Sequence, residues 1–354
     1  MAWNNVRDIA KPKHRRVFDI AIGIPAYNRC SELSELLGSI YAQTVLPREI
    51  TICEDNSPER EAIRKVAADW GGHFAPEGCI VNYQENDANL GFDGNFRKVI
   101  SASHARWVMV MGNDDLMLDI CIETTERYLL EHPGISIVSR SFLRFSTDIT
   151  EPLGISRLSE VDCVFRKDDS SAKMIFRTCG FIPGLVFDRT WADANATNLY
   201  DGTLYYQIYL ASIAFCESGI GYIAKPIVAG RSGNPPMFGV AASEQKLHIP
   251  GSYSPKGRAN MWASVLRISR EIGNRYSIDL YTEMKSELEV RQSFHIFEMY
   301  AGADREVSAE LRRELIALDL FSHPMPRLLY ALNRVFGRRA NAFYVLLRKI
   351  IQRD

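Results

Sequence analysis

No stretch of this sequence approaches the ~20 consecutive apolar residues that a membrane-spanning helix needs. The densest runs, such as Val108–Met111, are far shorter. The charged opening segment RDIAKPKHRR has no apolar h-region, so no secretory signal is expected. The seven cysteines stand singly, with no C-x-x-C pair. That spacing excludes the common zinc modules and a disulfide framework, and it predicts reduced thiols in a cytoplasmic protein. Charge of one sign is also missing. Forty-two Lys and Arg balance 43 Asp and Glu, a net charge of −1, so no global positive field marks nucleic acid as a partner. Neither G-x-G-x-x-G nor a P-loop occurs, which removes the usual dinucleotide and nucleoside-triphosphate fingerprints. The histidines lack metal-ligand spacing.

What remains is the balance of a globular protein, 46% apolar and 24% charged over 354 residues. Up to about residue 145, short β-rich runs alternate with helical patterns. FDIAIGIPA reads as a buried strand stopping near Pro25. SELSELLGSIYAQ reads as a helix capped by Ser31. EITICEDNS, CIVNYQ, RWVMVMGNDD and ISIVSRSFLRF read as further strands, with helices over 59–70, 94–104 and 121–131. This is the βαβ pattern of an α/β, doubly wound, mostly parallel sheet. Ligands of such sheets bind beyond the carboxyl ends of the strands. Three polar clusters fall there: Tyr27-Asn28-Arg29, Glu54-Asp55-Asn56-Ser57 and Asn113-Asp114-Asp115.

Four regions are expected: a basic lead-in over 1–16, a catalytic domain over 17–232, a mobile Gly/Pro/Ser-rich loop over 233–257, and a helical region over 258–354. A helix is expected over Gly202–Ala214, entered at Asp201. One long amphipathic helix is expected after Pro324 and Pro326. Leu328, Leu332, Val335, Phe336, Phe343, Leu347, Ile350 and Ile351 can share one face of it. Arg327, Arg334, Arg338, Arg339, Arg348, Lys349 and Arg353 cover the rest. Such a helix can pack on the domain or lie in an anionic membrane surface.

Taken in order, IGIPAYNR, EDNS, NLGFDGN, VMVMGNDD, YDGTLYYQI and IAKPIVAGR resemble the family 2 glycosyltransferases of the GT-A fold across roughly residues 18–232. The M-G-N-D-D style is similar to bacterial surface-polysaccharide enzymes of the abequosyltransferase-like kind. The resemblance implies a nucleotide-sugar donor of UDP or dTDP type, and a metal-dependent transfer with inversion to a saccharide hydroxyl. It also implies a lipid-linked acceptor for O-antigen or capsule synthesis, with the enzyme peripheral at the inner face of the cytoplasmic membrane. Pro25, Tyr27 and Arg29 match the loop around the base and diphosphate, and Asp55 matches the base-binding acid. Asn89 and Asn95, with Gly91, match the loop closing over the nucleotide. Asn113 and Asp114 fall where the ribose is met, and Asp115 where Mn²⁺ or Mg²⁺ is held. Asn113 replaces the usual first acid of the motif.

The chemistry agrees with these roles. A departing nucleoside diphosphate gains negative charge, and a carboxylate-held divalent ion neutralises it. The acceptor hydroxyl must lose a proton, and Asp201 matches the acid that receives it. Tyr200 and Gln207 depart from the surrounding pattern, and Asp201 could equally cap the following helix. Arg231 could reach the diphosphate or form a surface ion pair, and His248 could touch acceptor or diphosphate. Two other readings fit a sheet with acidic strand ends: a nucleotidyltransferase, or a carbohydrate-binding relative without activity.

Overall fold

The computed structural model describes residues 15–351. Most of the expected lead-in, and Arg353 of the C-terminal face, lie outside those residues. The sheet is built from β1 (Arg16–Ala26), β2 (Val45–Glu54), β3 (Ile80–Glu85), β4 (Trp107–Val110), β5 (Leu116–Met117), β6 (Ile137–Phe145), β7 (Gly154–Ser156), β8 (Cys163–Phe165), β9 (Leu185–Asp188) and β10 (Ile220–Arg231). Its order is β3-β2-β1-β4-β9-β6-β10-β5, with β7 on β6 and β8 on β10. The β3-β2-β1-β4 half is parallel throughout. Strand β9 runs antiparallel to both neighbours, and β6 and β10 are again parallel. The sequence pattern found β1, β2 and β4 because they read as apolar runs buried on both faces, while β3, an edge strand with no buried residue, was read from the short run CIVNYQ. It missed β7 and β8, which are three residues each and have no buried residue to impose a period.

Helices α1 (Cys30–Tyr41), α2 (Arg60–Phe74) and α4 (Cys121–Glu131) supply the core on one face of the sheet. Helices α3 (Gly91–Ala102), α5 (Lys173–Cys179), α6 (Arg189–Ala194) and α7 (Tyr206–Glu217) supply the core on the other. The C-terminal helices are α8 (Pro255–Tyr276), α9 (Tyr281–Ser286), α10 (Ser293–Met299), α11 (Arg305–Ala317), α12 (Pro324–Phe336) and α13 (Ala340–Ile351). They have no core of their own. Trp262, Ile268, Leu315, Leu329 and Tyr344 join one buried cluster with Phe96, Phe187 and Ile208. Helix α7 lies between the sheet and these helices. It is mostly apolar, with every residue from Tyr206 to Cys216 buried, as a central helix should be.

Three local expectations are corrected. Helix α1 begins at Cys30, and its cap position is Arg29 in left-handed conformation (φ 62°), so Ser31 is not the cap. Helix α7 begins at Tyr206 rather than Gly202, because Gly202 (φ 85°) and Leu204 (φ 62°) break the helical path. The single helix expected after Pro324 is two, interrupted at Gly337 (φ 53°).

The start of α7 is fixed from outside. Asp93 of α3 is 1% exposed and accepts from the N–H of Leu204 (2.8 Å) and Tyr206 (2.9 Å). Asp201, the expected cap, does not do this. Burial lifts the Asp93 carboxyl to about 7 against the pull of those two donors. Its acid therefore ionises near 3.8 when unfolded and near 7 when folded. Between those values the native state holds the proton, so this group's contribution to stability falls as pH rises from about 4 through about 7. In thermal melts, the advantage of wild type over Asp93→Asn should be larger at pH 5 than at pH 8, by about 2 °C or more. An equal advantage at both values would contradict this assignment.

Candidate functional site

The carboxyl ends of β1, β2 and β4 open into one cleft of about 1040 Å³. Each polar cluster predicted there is held by the next. After β1, Asn28 (φ 54°) and Arg29 (φ 62°) are both left-handed, a conformation costing of order 1 kcal/mol for a non-glycine residue. Asn113 steadies it by donating to the Asn28 carbonyl at 2.8 Å. Arg29 donates to Asp114 at 2.7 Å and to the Pro235 carbonyl. Asn234 donates to the same Asp114 oxygen, Oδ2, at 2.7 Å. The tips of β1 and β4 and the loop after β10 thus meet at one carboxylate.

After β2, Asp55 is 4% exposed and lines the cleft. Its Oδ1 accepts from Leu90 N–H at 2.8 Å and from Asn86, and its Oδ2 accepts from Gly91 N–H at 3.1 Å. Burial raises its pKa, and these donors oppose the rise. Asn89 accepts from Gly91 N–H at 2.9 Å, while Asn95 donates to the Cys53 carbonyl at 2.9 Å. Tyr27 stands on the same wall. Its phenol is pushed up first by burial, then by Asp55, Glu54 and Glu244.

The structure therefore brings together Pro25, Tyr27, Arg29, Asp55, Asn89, Asn95, Asn113 and Asp114, all of which line the cleft. Asp115 is placed differently. It is 5% exposed and is not among the lining residues. Its Oδ1 accepts from Arg231 N–H at 2.9 Å, and its Oδ2 lies so close over Gly112 that a Cβ there would stand 2.3 Å away. Burial, then neighbouring Asp114, raises its pKa well above the ordinary carboxylate range. The carboxylate facing the cleft from this strand end is Asp114.

Asp201 also stands off the lining. Both its oxygens are taken by Arg97, at 2.6 and 3.0 Å. Arg231 lines the cleft, but its guanidinium is committed to Glu35, the Asp114 carbonyl (2.8 Å) and the Phe145 ring. His248 is 4% exposed and its Nε2 meets the Gly202 carbonyl at 3.1 Å, so it fastens its loop to the turn before α7. Burial lowers its pKa.

Sequence reasoning missed Glu244 and the far wall. Glu244 lines the cleft, and it joins the 232–254 loop to α3 by accepting from Phe92 N–H (2.7 Å) and Gly239 N–H (2.6 Å). Nothing near it in the sequence marks it. The far wall carries Gln207, Arg258, Trp262, Arg291, His295 and Arg348 from the C-terminal half. Of these only Gln207 fell within a recognisable motif.

Residues 21–182 match the family described as glycosyl transferase family 2. The sheet and helices are those of the GT-A fold. A curated relative, abequosyltransferase RfbV of Salmonella typhimurium, is 24% identical over 240 residues, covering 61% of this chain and 67% of that one. TarS 1-349 of S. aureus, solved in complex with UDP-GlcNAc, superposes with a TM-score of 0.58 at 14% identity, covering 92% of this chain and 89% of that one. The same protein in complex with UDP gives 0.52 at 11% identity, covering 89% and 90%. At these identities the solved structures establish the fold.

Glu244→Ala should leave two amides without an acceptor, at about 1–3 kcal/mol each where they stay buried. Hydrogen exchange at Phe92 and Gly239 should accelerate and the melting temperature should fall. Wild-type exchange at both amides would show that Glu244 does not hold the loop.

Proposed function

We propose that this chain transfers a glycosyl group from a nucleoside diphosphate sugar, of UDP or dTDP type, to a hydroxyl of a saccharide acceptor. The observation that carries the reading is the gathering of Tyr27, Asp55, Asn89, Asn113 and Asp114 from separate strand and helix ends into one cleft. The family match and a relative named as an abequosyltransferase support the class of reaction.

In this reading Tyr27 offers the base a ring face, and Asp55 Oδ2, which accepts only one N–H, takes the N–H of a uracil-type ring. Asn113 meets the ribose, and Arg29 places a guanidinium beside the diphosphate. Asp114 is the acid for Mn²⁺ or Mg²⁺, replacing Asp115 in that role. Its Oδ2 is occupied by Arg29 and Asn234, while its Oδ1 makes no hydrogen bond among the described residues. No group of three acidic, His or Cys side chains stands ready as a cage among the described residues. These residues fit an ion held by one carboxylate and the donor's own phosphates. Such an ion would supply positive charge against the departing diphosphate. Asp115 then serves as a positioning residue that ties β10 under the site.

Asp55 and Glu244 both give their oxygens to backbone N–H groups, which leaves neither suited to a covalent glycosyl intermediate. That favours direct displacement with inversion. Asp201, paired with Arg97, is read here as positioning the turn before α7, and the hydroxyl proton then passes to water or to the departing diphosphate rather than to Asp201.

The acceptor is proposed to be lipid-linked, with the protein peripheral at an anionic membrane surface. No helix among the described residues is long and apolar enough to cross a membrane. Helices α12 and α13 leave Leu328, Val335, Phe336, Phe343 and Leu346 exposed beside Arg334, Arg338 and Arg339. That combination suits the interface of an anionic bilayer.

Asp114→Asn should lower Mn²⁺-dependent hydrolysis of a UDP-sugar by roughly 10²-fold or more. Asp201→Asn should cost less than Asp114→Asn and act mainly on melting temperature. A larger activity loss in Asp201→Asn would restore it as the base. For the membrane reading, Phe336→Glu with Leu346→Glu should abolish co-sedimentation with phosphatidylglycerol vesicles. Unchanged co-sedimentation would remove these helices from the interface.

A further inference from the structure

The nucleotide end of the cleft lies on β2, β1 and β4, in that order across the sheet, from Asp55 at one side to Asp114 at the other. The next strands in the sheet are β9 and β6. Strand β9 is antiparallel to β4, so the turn that enters β9 meets the tip of β4. Gly184 N–H donates to the Val110 carbonyl at 2.8 Å, which fixes that turn beside the Asn113-Asp114 cluster. A donor laid along the strand tips, base first, brings its sugar to the β9–β6 side of Asp114.

On that side the cleft is lined by an aromatic pair. Phe181 comes from the turn before β9 and Phe142 from β6, and both are half-buried. Their rings stack with centroids 4.3 Å apart and planes 27° apart. The backbone of β10 leaves space for them, since a Cβ on Gly230 would stand 2.3 Å from the tip of the Phe181 ring. Arg140 of β6 adjoins the pair from the protein interior. It is 2% exposed, and among the described residues no carboxylate lies within ion-pair distance and its Nε has no hydrogen-bond partner. A cation buried in this way is costly. Its contacts go largely to the pair. One Nη donates to the Phe181 carbonyl at 3.0 Å, the other to Ser139 Oγ at 3.3 Å. The guanidinium carbon lies 5.4 Å from the Phe142 ring centroid and 5.7 Å from that of Phe181, within cation–π range. One side chain thus fixes both rings and the turn that carries one of them. The rim around the pair is polar. Ser156 of β7 is the register partner of Phe142, and it lines the cleft together with Arg144 and Arg157.

We propose that Phe181, with Phe142, is the platform on which the ring of the donor's sugar lies by its C–H face, and that Arg140 is the positioning residue that holds this platform. The inference rests on the nucleotide-sugar reading and deepens it by assigning residues that select the sugar. Pyranose C–H groups carry partial positive charge and suit the negative face of an aromatic ring. The hydroxyls at the ring's edge are left to Ser156 and the two rim arginines, the pattern of an apolar site with a few placed polar groups. Sugars that turn an axial hydroxyl toward the platform lose this contact, so the pair ranks donors that share one nucleotide.

The test is calorimetric titration of the full chain, in Mn²⁺, with UDP, UDP-glucose and UDP-galactose, and with dTDP and dTDP-rhamnose. Each sugar nucleotide is read as its affinity relative to its parent nucleotide. In Phe181→Leu, the highest of these ratios should fall by about threefold to tenfold, while UDP and dTDP affinities stay within about twofold of wild type. Phe181→Tyr, which keeps the ring, should retain the wild-type ratio within about twofold. Arg140→Lys, folded as judged by circular dichroism, should lower the ratio in the same direction as Phe181→Leu. An unchanged ratio in Phe181→Leu, an equal loss of parent nucleotide and sugar nucleotide, or the same loss in Phe181→Tyr would overturn the platform. So would a wild-type protein that binds UDP or dTDP and none of the three sugar nucleotides. A wild-type ratio in Arg140→Lys would remove Arg140 from its positioning role. Failure of both parent nucleotides to bind is a separate result, which would overturn the donor reading and this assignment with it.

Discussion

Buried carboxylates that accept from backbone N–H groups hold this molecule's working end together. Glu54 receives Asn56 and Ser57, Asp55 receives Leu90 and Gly91, Asp93 receives Leu204 and Tyr206, Asp115 receives Arg231, and Glu244 receives Phe92 and Gly239. Where the acid is ionised, a hydrogen bond of this kind is roughly twice as strong as a neutral one. It also satisfies a donor that would be costly to bury alone. The bonds of Asp55 to Leu90 and Gly91, of Asp93 to Leu204 and Tyr206, and of Glu244 to Phe92 join segments that the sheet ladder does not connect. Together they turn the loose ends of parallel strands into a cleft with fixed walls.

This constraint divides the acids into two groups. Those whose oxygens are fully spent, such as Asp93, shape the site without meeting a ligand. Asp55 and Asp114 are anchored through part of their hydrogen-bonding capacity and still face the cavity. Arg97 places Asp201 in the first group, since it neutralises that acid at the turn before α7. The C-terminal helices complete the cleft rather than forming a separate unit. Their apolar faces join the core on α7, and their arginines make the wall opposite the strand tips.

The parallel half of the sheet was legible because period and polarity coincide there. Buried strands such as Ile20–Ile24 end in polar clusters, and those clusters are where the cavity opens. The individual residues on it, from Pro25 to Asp114, were legible through the resemblance of their motifs to family 2 glycosyltransferases. Which of two adjacent aspartates faces the cavity was not. That depends on the turn over Gly112 and on a contact with Arg231, which is more than a hundred residues away. The start of α7 was misread because its cap is supplied by Asp93 from another helix, and no local pattern encodes that. The far wall was hidden for a similar reason. Arg258, Arg291 and Arg348 look like ordinary helix-surface charges until tertiary packing turns them toward one space.

The central claim is that the carboxylate-anchored strand tips form a nucleotide-sugar donor site. Amide hydrogen exchange of the intact protein, with and without UDP and Mn²⁺, tests it most directly. The account predicts added protection confined to the segments around 25–29, 55–56, 89–95 and 113–114. Unchanged exchange at all four, or protection confined to another part of the molecule, would contradict it.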